Sequence, residues 1–206
     1  NSNEVTNFCK TIKNNFDKID VLVNNAALSL DNSFLDKTKE LVSGIKDNST
    51  LNDVEKALLL HDRLATCCEY DYENYQLGIM VPASHSAYGA ICLGTAVCQG
   101  YAYAYDYLLE QVGIKSDYCS SDTLNHAWNV VYIDGKPYHV DVTWDDPGNV
   151  AGRVFHDNFL RSTEGIKATG HNADDFTTTP TDTTYDNYFW RNMSASASGG
   201  SPRSLP

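Results

Sequence analysis

The 206-residue chain predicts an α+β fold, with helices first and an antiparallel sheet second. Three observations predict it. Apolar residues at helical spacing dominate the first half, extended apolar segments follow Gly113, and Asp134-Gly135 marks a two-residue hairpin between two of those segments. With 42% hydrophobic and 20% charged residues, the chain reads as one soluble domain large enough for a proper core. A formal charge of −12 argues against nucleic acid or an anionic membrane as the main partner. No apolar run approaches the roughly 18 residues that a membrane span needs.

Taken in order, Val5, Phe8, Ile12, Phe16 and Ile19 repeat at helical spacing, and VLVNNAALSL continues that helix or turns extended. A second helix is expected over Ser33–Ile45, then a cap at Asn48-Ser49-Thr50, with Thr50 and Asp53 resembling a capping box. Val54, Ala57, Leu58, His61, Leu64 and Ala65 make the clearest amphipathic helix, ending near Cys67-Cys68. Tyr75–Ala83, with Gly78 and Pro82, reads as loop, and Ser84–Ile91 as one short helix. Gln99–Val112 repeats Tyr101, Tyr105, Leu108 and Val112 on one helix face, with Gly113 at the C′ position. Ile114–Cys119, Ala127–Ile133 and Tyr138–Trp144 read as strands. Beyond Pro147, Phe155, Phe159, Leu160 and Ile166 are expected in the core, and SASASGGSPRSLP reads as a linker. The division that follows is a helical lead-in over 1–50, a core over 51–192 and a tail over 193–206.

The sharpest chemical signal is a Cys, a His and an Asp in that order: Cys98 at a helix start, His126 on a strand and Asp141 on the next. A helix N-terminus favours a thiolate, but only by about 1–2 kcal/mol. Lowering a thiol from about 8.5 to roughly 4 takes on the order of 6 kcal/mol, so a partner cation is required. His126 is the candidate. With Asp134-Gly135 as a two-residue loop, His126 faces Thr143 and has Asp141 as its diagonal neighbour on the same face. An odd loop would separate the two side chains unless a bulge restored the parity. His139, on the face of Asp141, is the weaker rival base. The backbone N–H of Cys98 is a natural oxyanion donor. Each residue also has a structural reading, as a packing cysteine, a hydrogen-bonded strand histidine and a turn aspartate.

Six cysteines (Cys9, Cys67, Cys68, Cys92, Cys98 and Cys119) include no C-x-x-C pair, which disfavours structural zinc and a disulfide oxidoreductase. Most read as small buried apolar residues. The acidic pairs Asp145-Asp146 and Asp174-Asp175 lack a D-x-D-x-D-G loop and read as solvated turns rather than calcium ligands.

AVCQGYAYA, then NHAWNVVYIDGKPYHVDVTWDD, resembles the transglutaminase-like superfamily in its bacterial branch. Upstream, KALLLHDRLATCCEYDY and SAYGAICLG resemble the same family, so the likeness spans roughly Asp53–His171. The resemblance implies a papain-like α+β core with helices packed on the sheet. It also implies a Cys-His-Asp triad at Cys98, His126 and Asp141, with no cofactor or metal. It implies acyl transfer on protein or peptide amides through a thioester, by peptidase, amidase or cross-linking chemistry. All three triad positions are filled, against a dead copy. Cys98 precedes Gln99 rather than the Trp of animal cross-linking enzymes, so that activity is not implied. Gln99, Tyr88, Trp128 and Trp144 are candidate cleft residues. His85 and Ser86 are weaker candidates for the oxyanion hole, and Tyr70-Asp71 reads as structural. The competing class is a non-catalytic cell-surface module binding peptide or wall polymer. The chain lacks an initiator Met and a signal peptide and reads as a mature or trimmed form, with an extracellular or cell-surface location expected from composition.

Overall fold

The computed structural model describes residues 32–146, 148, 153–188 and 195–196. The helix expected over Val5–Ile19, the VLVNNAALSL segment and most of the tail lie outside them.

Helix α1 (Asn32–Val42) occupies the position expected for the second helix, and its Phe34 and Val42 join the main core. Helix α2 (Asp53–Cys67) buries Ala57, Leu58, Leu60, His61, Leu64 and Ala65 on one face. Its cap lies two residues later than expected. Asn52, not Thr50, accepts from Glu55 N–H, and Glu55 answers to Asn52 N–H, which completes a capping box. Asn48 instead closes its own turn by accepting from Thr50 N–H.

Two parallel two-residue strands follow, β1 (Glu69–Tyr70) and β2 (Thr95–Ala96). Between them the expected loop carries a short helix α3 (Tyr72–Gln76), then a 3₁₀ turn (Pro82–His85) and a π-helical turn (Gly89–Leu93). Helix α4 (Cys98–Gln111) runs beneath the sheet, and Gly113 (φ 81°) takes the left-handed conformation that stops it.

The sheet is β3 (Ser116–Ser121), β4 (His126–Ile133) and β5 (Lys136–Val140), antiparallel in that order. The hairpin register pairs Ile133 with Lys136 and Asn129 with Val140, as the two-residue loop requires. Asp134 (φ 51°) and Gly135 (φ 77°) both adopt the positive φ of a type I′ turn. The third strand is shorter than expected. Pairing ends at Val140, and Asp141 becomes the N-cap of a one-turn helix, α5 (Val142–Asp145), by accepting from Trp144 N–H. Thr143 therefore lies in that helix and does not face His126. Strand β6 (Arg153–Val154) pairs with β7 (Ala195–Ser196), and α6 (Thr163–Lys167) lies between them in the chain.

Val131, Ile133, Tyr138 and Val140 share the main core with α1, α2 and α4. On the opposite face of the sheet, Trp128 and Val130 meet Cys119, Ile166, Ala173 and Phe176. Phe159, Leu160 and Ile166 are buried as expected, whereas Phe155 is 36% exposed and belongs to no core cluster. Cys68 and Cys119 are buried, Cys67 is exposed, and Cys92 and Cys98 are half-buried; Cys67, Cys68, Cys98 and Cys119 are free thiols.

Candidate active site

Cys98 is the first residue of α4, set there by contacts of small residues before and after it. Val97, the N-cap, offers no side-chain cap, but its N–H donates to Ser84 C=O at 2.9 Å. Gly100 sits so close to the 84–86 segment that a Cβ would stand 2.5 Å from the Ser84 carbonyl oxygen. Only glycine at this position lets the 3₁₀ turn lie against the start of the helix. The N–H groups of Cys98 and Gln99 have no acceptor among the described residues, as expected for the first turn of a helix. Asp71 ties the same region together. It accepts from Ser84 Oγ–H at 2.5 Å and Asn74 Nδ2–H at 2.8 Å, while its N–H donates to Ala96 C=O. The Tyr70-Asp71 pair is thus structural at its aspartate, and Tyr70 reaches the cleft.

A cleft of about 270 Å³ contains Cys98 and His126, with Gln99, His85 and Tyr70 among its walls. His85 Nδ1 and Gln99 Oε1 are 3.1 Å apart, and Gln99 Nε2–H donates to Tyr103 OH at 3.2 Å. Tyr75, Tyr118, Asp122 and Asn125 also line it; Asn125 opens the NHAWN motif, and no periodicity or motif marks the other three in the sequence.

His126 Nε2 donates to Asp141 Oδ2 at 2.7 Å. That contact leaves Nδ1 as the ring nitrogen for the thiol. The imidazole is only 7% exposed and lies between two indoles, Trp128 (5.5 Å between ring centres, 26°) and Trp144 (5.1 Å, 27°). Burial opposes a charge on this ring. The negative charge and hydrogen bond of Asp141 outweigh it, the neighbouring Cys98 adds to them, and His126 rises from 6.5 to about 10. Asp141 is fully buried, which works against its charge, yet His126 and His171 hold its carboxyl well below the usual range.

Several expected assignments change. Trp128 and Trp144 are not among the cleft's walls; both stack on the His126 ring. Tyr88 packs beside Phe34 against the main core and does not line the cleft. Ser86 is buried and accepts from Gly89 N–H, while its hydroxyl donates to Ala83 C=O. His139 is not a rival base. Its Nδ1 accepts from Trp128 Nε1–H at 2.9 Å and its Nε2 meets Thr163 Oγ1 at 3.1 Å. Burial, aided by nearby His171 and opposed by Asp141, lowers it to about 3. Asp145 is no solvated turn residue. It is fully buried, contacts His61 Nε2 at 3.1 Å and accepts from Asn158 N–H and Nδ2–H. Asp146 accepts from Tyr101 OH at 2.5 Å. Asp174 is solvated, and exposed Asp175 accepts from Ser121 Oγ–H at 2.5 Å.

Sequence reading missed a second histidine on Asp141. His171 Nε2 lies 2.8 Å from the same Oδ2, with its ring 3.9 Å from that of Trp144. Among the described residues, two groups have metal-ligand types, His126–Asp141–His171 and His61–Asp62–His156. In the first, both imidazoles sit at hydrogen-bonding distance from one carboxylate oxygen. In the second, Asp62 Oδ1 is 3.0 Å from His61 Nδ1 and 2.8 Å from His156 Nε2. Burial opposes a charged His61, but hydrogen bonds to Asp145 and Asp62 outweigh it and raise the ring to about 9. Both groups are therefore built as hydrogen-bonded networks.

The transglutaminase-like superfamily matches residues 37–142, just over half of the 206-residue chain. The chain belongs to that superfamily. A crystal structure of a TGase shares 16% identity with it, over 70% of this chain and 39% of its own, at a TM-score of 0.48. A protein assigned as a cysteine protease from Cytophaga hutchinsonii shares 18% identity, over 64% of this chain and 47% of its own, at a TM-score of 0.39. The chain thus spans less than half the length of each. No curated protein sequence matches it.

Proposed function

We propose that this transglutaminase-like domain is a cysteine acyl-transfer enzyme acting on amide bonds of proteins or peptides. The observation that carries the reading is the 2.7 Å contact of His126 with the fully buried Asp141, in the cleft that also holds Cys98.

The chemistry follows from charge. Asp141 stabilises an imidazolium at His126, and the imidazolium stabilises the Cys98 thiolate. The thiolate attacks the amide carbonyl carbon, and the carbonyl oxygen becomes an oxyanion. The unused N–H groups of Cys98 and Gln99 lie at the helix end, where they can donate to that oxyanion. His126 gives its proton to the leaving amine, and a thioester to Cys98 remains. Water or a second amine, deprotonated by His126, attacks the thioester and regenerates the thiol. Hydrolysis and amine transfer share this acyl-enzyme and differ only in the second nucleophile.

The test incubates the protein with a pool of glutamine-containing peptides, with and without a primary amine, and reads intact mass. The expected result is a covalent acyl adduct mapped to Cys98, absent in Cys98→Ser, and released as acid or as amide. An unmodified Cys98 with intact peptides would overturn the reading and favour a peptide-binding module.

A further inference from the structure

We propose that His171 is a positioning residue that holds the Asp141 carboxylate ionised and aimed at His126. This rests on the acyl-transfer reading above and assigns a fourth member to its site.

Asp141 is fully buried, and no Lys or Arg pairs with it among the described residues. Its charge is held by three donors. Oδ2 takes the Nε2–H groups of His126 at 2.7 Å and His171 at 2.8 Å, and Oδ1 takes Trp144 N–H at 3.2 Å. The two imidazoles therefore divide one oxygen. His126 faces the cleft, while His171 lies behind, fully buried against Trp144 and edge-on to Trp128.

The remaining ring nitrogen shows what His171 is oriented for. His61 and His139, buried elsewhere, have both ring nitrogens in contact with a partner. His171 Nδ1 is buried with no partner among the described residues. Buried polar atoms are rarely left so. The ring gives up a bond at Nδ1 in order to present Nε2–H to Asp141. Against a carboxylate oxygen, which only accepts, Nε2 carries the donating N–H. The chain is shaped for this pose: Gly170, at φ 120°, passes beneath Trp144, where a Cβ would come within 3.3 Å of the indole.

The charged and titratable groups around this pair come from several elements. They are His126 on β4, His139 on β5, Cys98 on α4 and Tyr70 on β1, which senses the charge of Asp141. None of them donates a hydrogen bond to Asp141 except His126. Losing the His171 donor therefore removes one of three supports for the carboxylate and lets Asp141 turn away from His126.

The experiment measures the rate of Cys98 alkylation by iodoacetamide between pH 4 and 9, at the peptide level, in wild type, His126→Ala, His171→Phe and His171→Gln. Thermal melts accompany each variant. Phe fills the aromatic slot without a donor, and Gln offers an amide N–H near the position of Nε2. In the Phe variant the acid-side midpoint is expected to rise by about one pH unit and the rate at pH 5.5 to fall about tenfold. The Gln variant stays within about threefold of wild type. A Phe profile superimposing on wild type overturns the proposal. Wild type that labels only near the pH of a free thiol overturns the acyl-transfer reading and this one with it. If the Phe variant is unfolded, nitrogen NMR of wild type decides. A His171 Nε2–H signal that shifts when Cys98 is alkylated is expected, and an unmoved signal overturns the proposal.

Discussion

Asp141→Asn isolates the charge of the carboxylate from its shape. Asn is a good N-cap and can keep the Trp144 N–H bond to Oδ1, now 3.2 Å, so α5 has its start preserved. The other side-chain atom changes from an acceptor to an NH₂ donor, and it meets the Nε2–H groups of His126 and His171 at 2.7 and 2.8 Å. Both histidines must flip tautomer or move. His126 stands at about 10 because Asp141 outweighs its burial. The rise from 6.5 corresponds to roughly 5 kcal/mol at most, at about 1.4 kcal/mol per pH decade. Without the carboxylate, burial alone favours the neutral ring. Recovering about four-fifths of that figure as lost imidazolium support slows Cys98 alkylation at pH 6 by roughly 10³-fold. The lost charge-assisted hydrogen bonds lower folding stability by about 3 kcal/mol. Alkylation with peptide mapping reads the first effect, and urea unfolding reads the second. An Asn variant that labels at the wild-type rate at pH 6 would refute the reasoning.

Other expectations concern the frame around the site. His61→Ala leaves buried Asp145 and Asp62 without the ring between them and should cost about 3–5 kcal/mol in urea unfolding; a loss below 1 kcal/mol contradicts a buried ion network. Gly100→Ala brings a Cβ to 2.5 Å from Ser84 C=O, and a stability loss of about 1–3 kcal/mol with slower Cys98 labelling is expected. His126, raised to about 10, contributes stability fully below pH 6.5 and loses it as pH rises toward 10, so stability falls across that window and the fall is absent in Asp141→Asn. His139, lowered to about 3, stays neutral while the unfolded chain takes up a proton below pH 6.5. Stability therefore drops by up to about 1.4 kcal/mol per pH unit on acidification, and His139→Gln should flatten that slope.

What the sequence made legible is what short-range pattern controls. The helix beginning at Cys98, its stop at Gly113 and the amphipathic α2 follow from apolar spacing and a terminal glycine. Hairpin parity follows from Asp134-Gly135, because a two-residue loop leaves only one register. What escaped depends on contacts distant in sequence, or on a local cap that strand patterning does not announce. Asp141 leaves the strand because Trp144 N–H offers it a cap, and that short helix also brings Asp145 to His61, far upstream. His171 lies in a weakly patterned segment and reaches Asp141 only through the fold. The cleft wall at Tyr118 comes from β3, and that at Asp122 and Asn125 from the β3–β4 connection, which no local periodicity announces.

The measurement that bears most directly on the central claim is the pH dependence of Cys98 alkylation by iodoacetamide from pH 4 to 9, with His126→Ala beside wild type. Peptide mapping separates Cys98 from the other cysteines, exposed Cys67 among them. Fast labelling at pH 5–6 that slows in the variant is the predicted result, because a thiolate held by an imidazolium survives well below the roughly 8.5 of a free cysteine. Labelling that begins only near pH 8.5, unchanged by His126→Ala, would contradict the account.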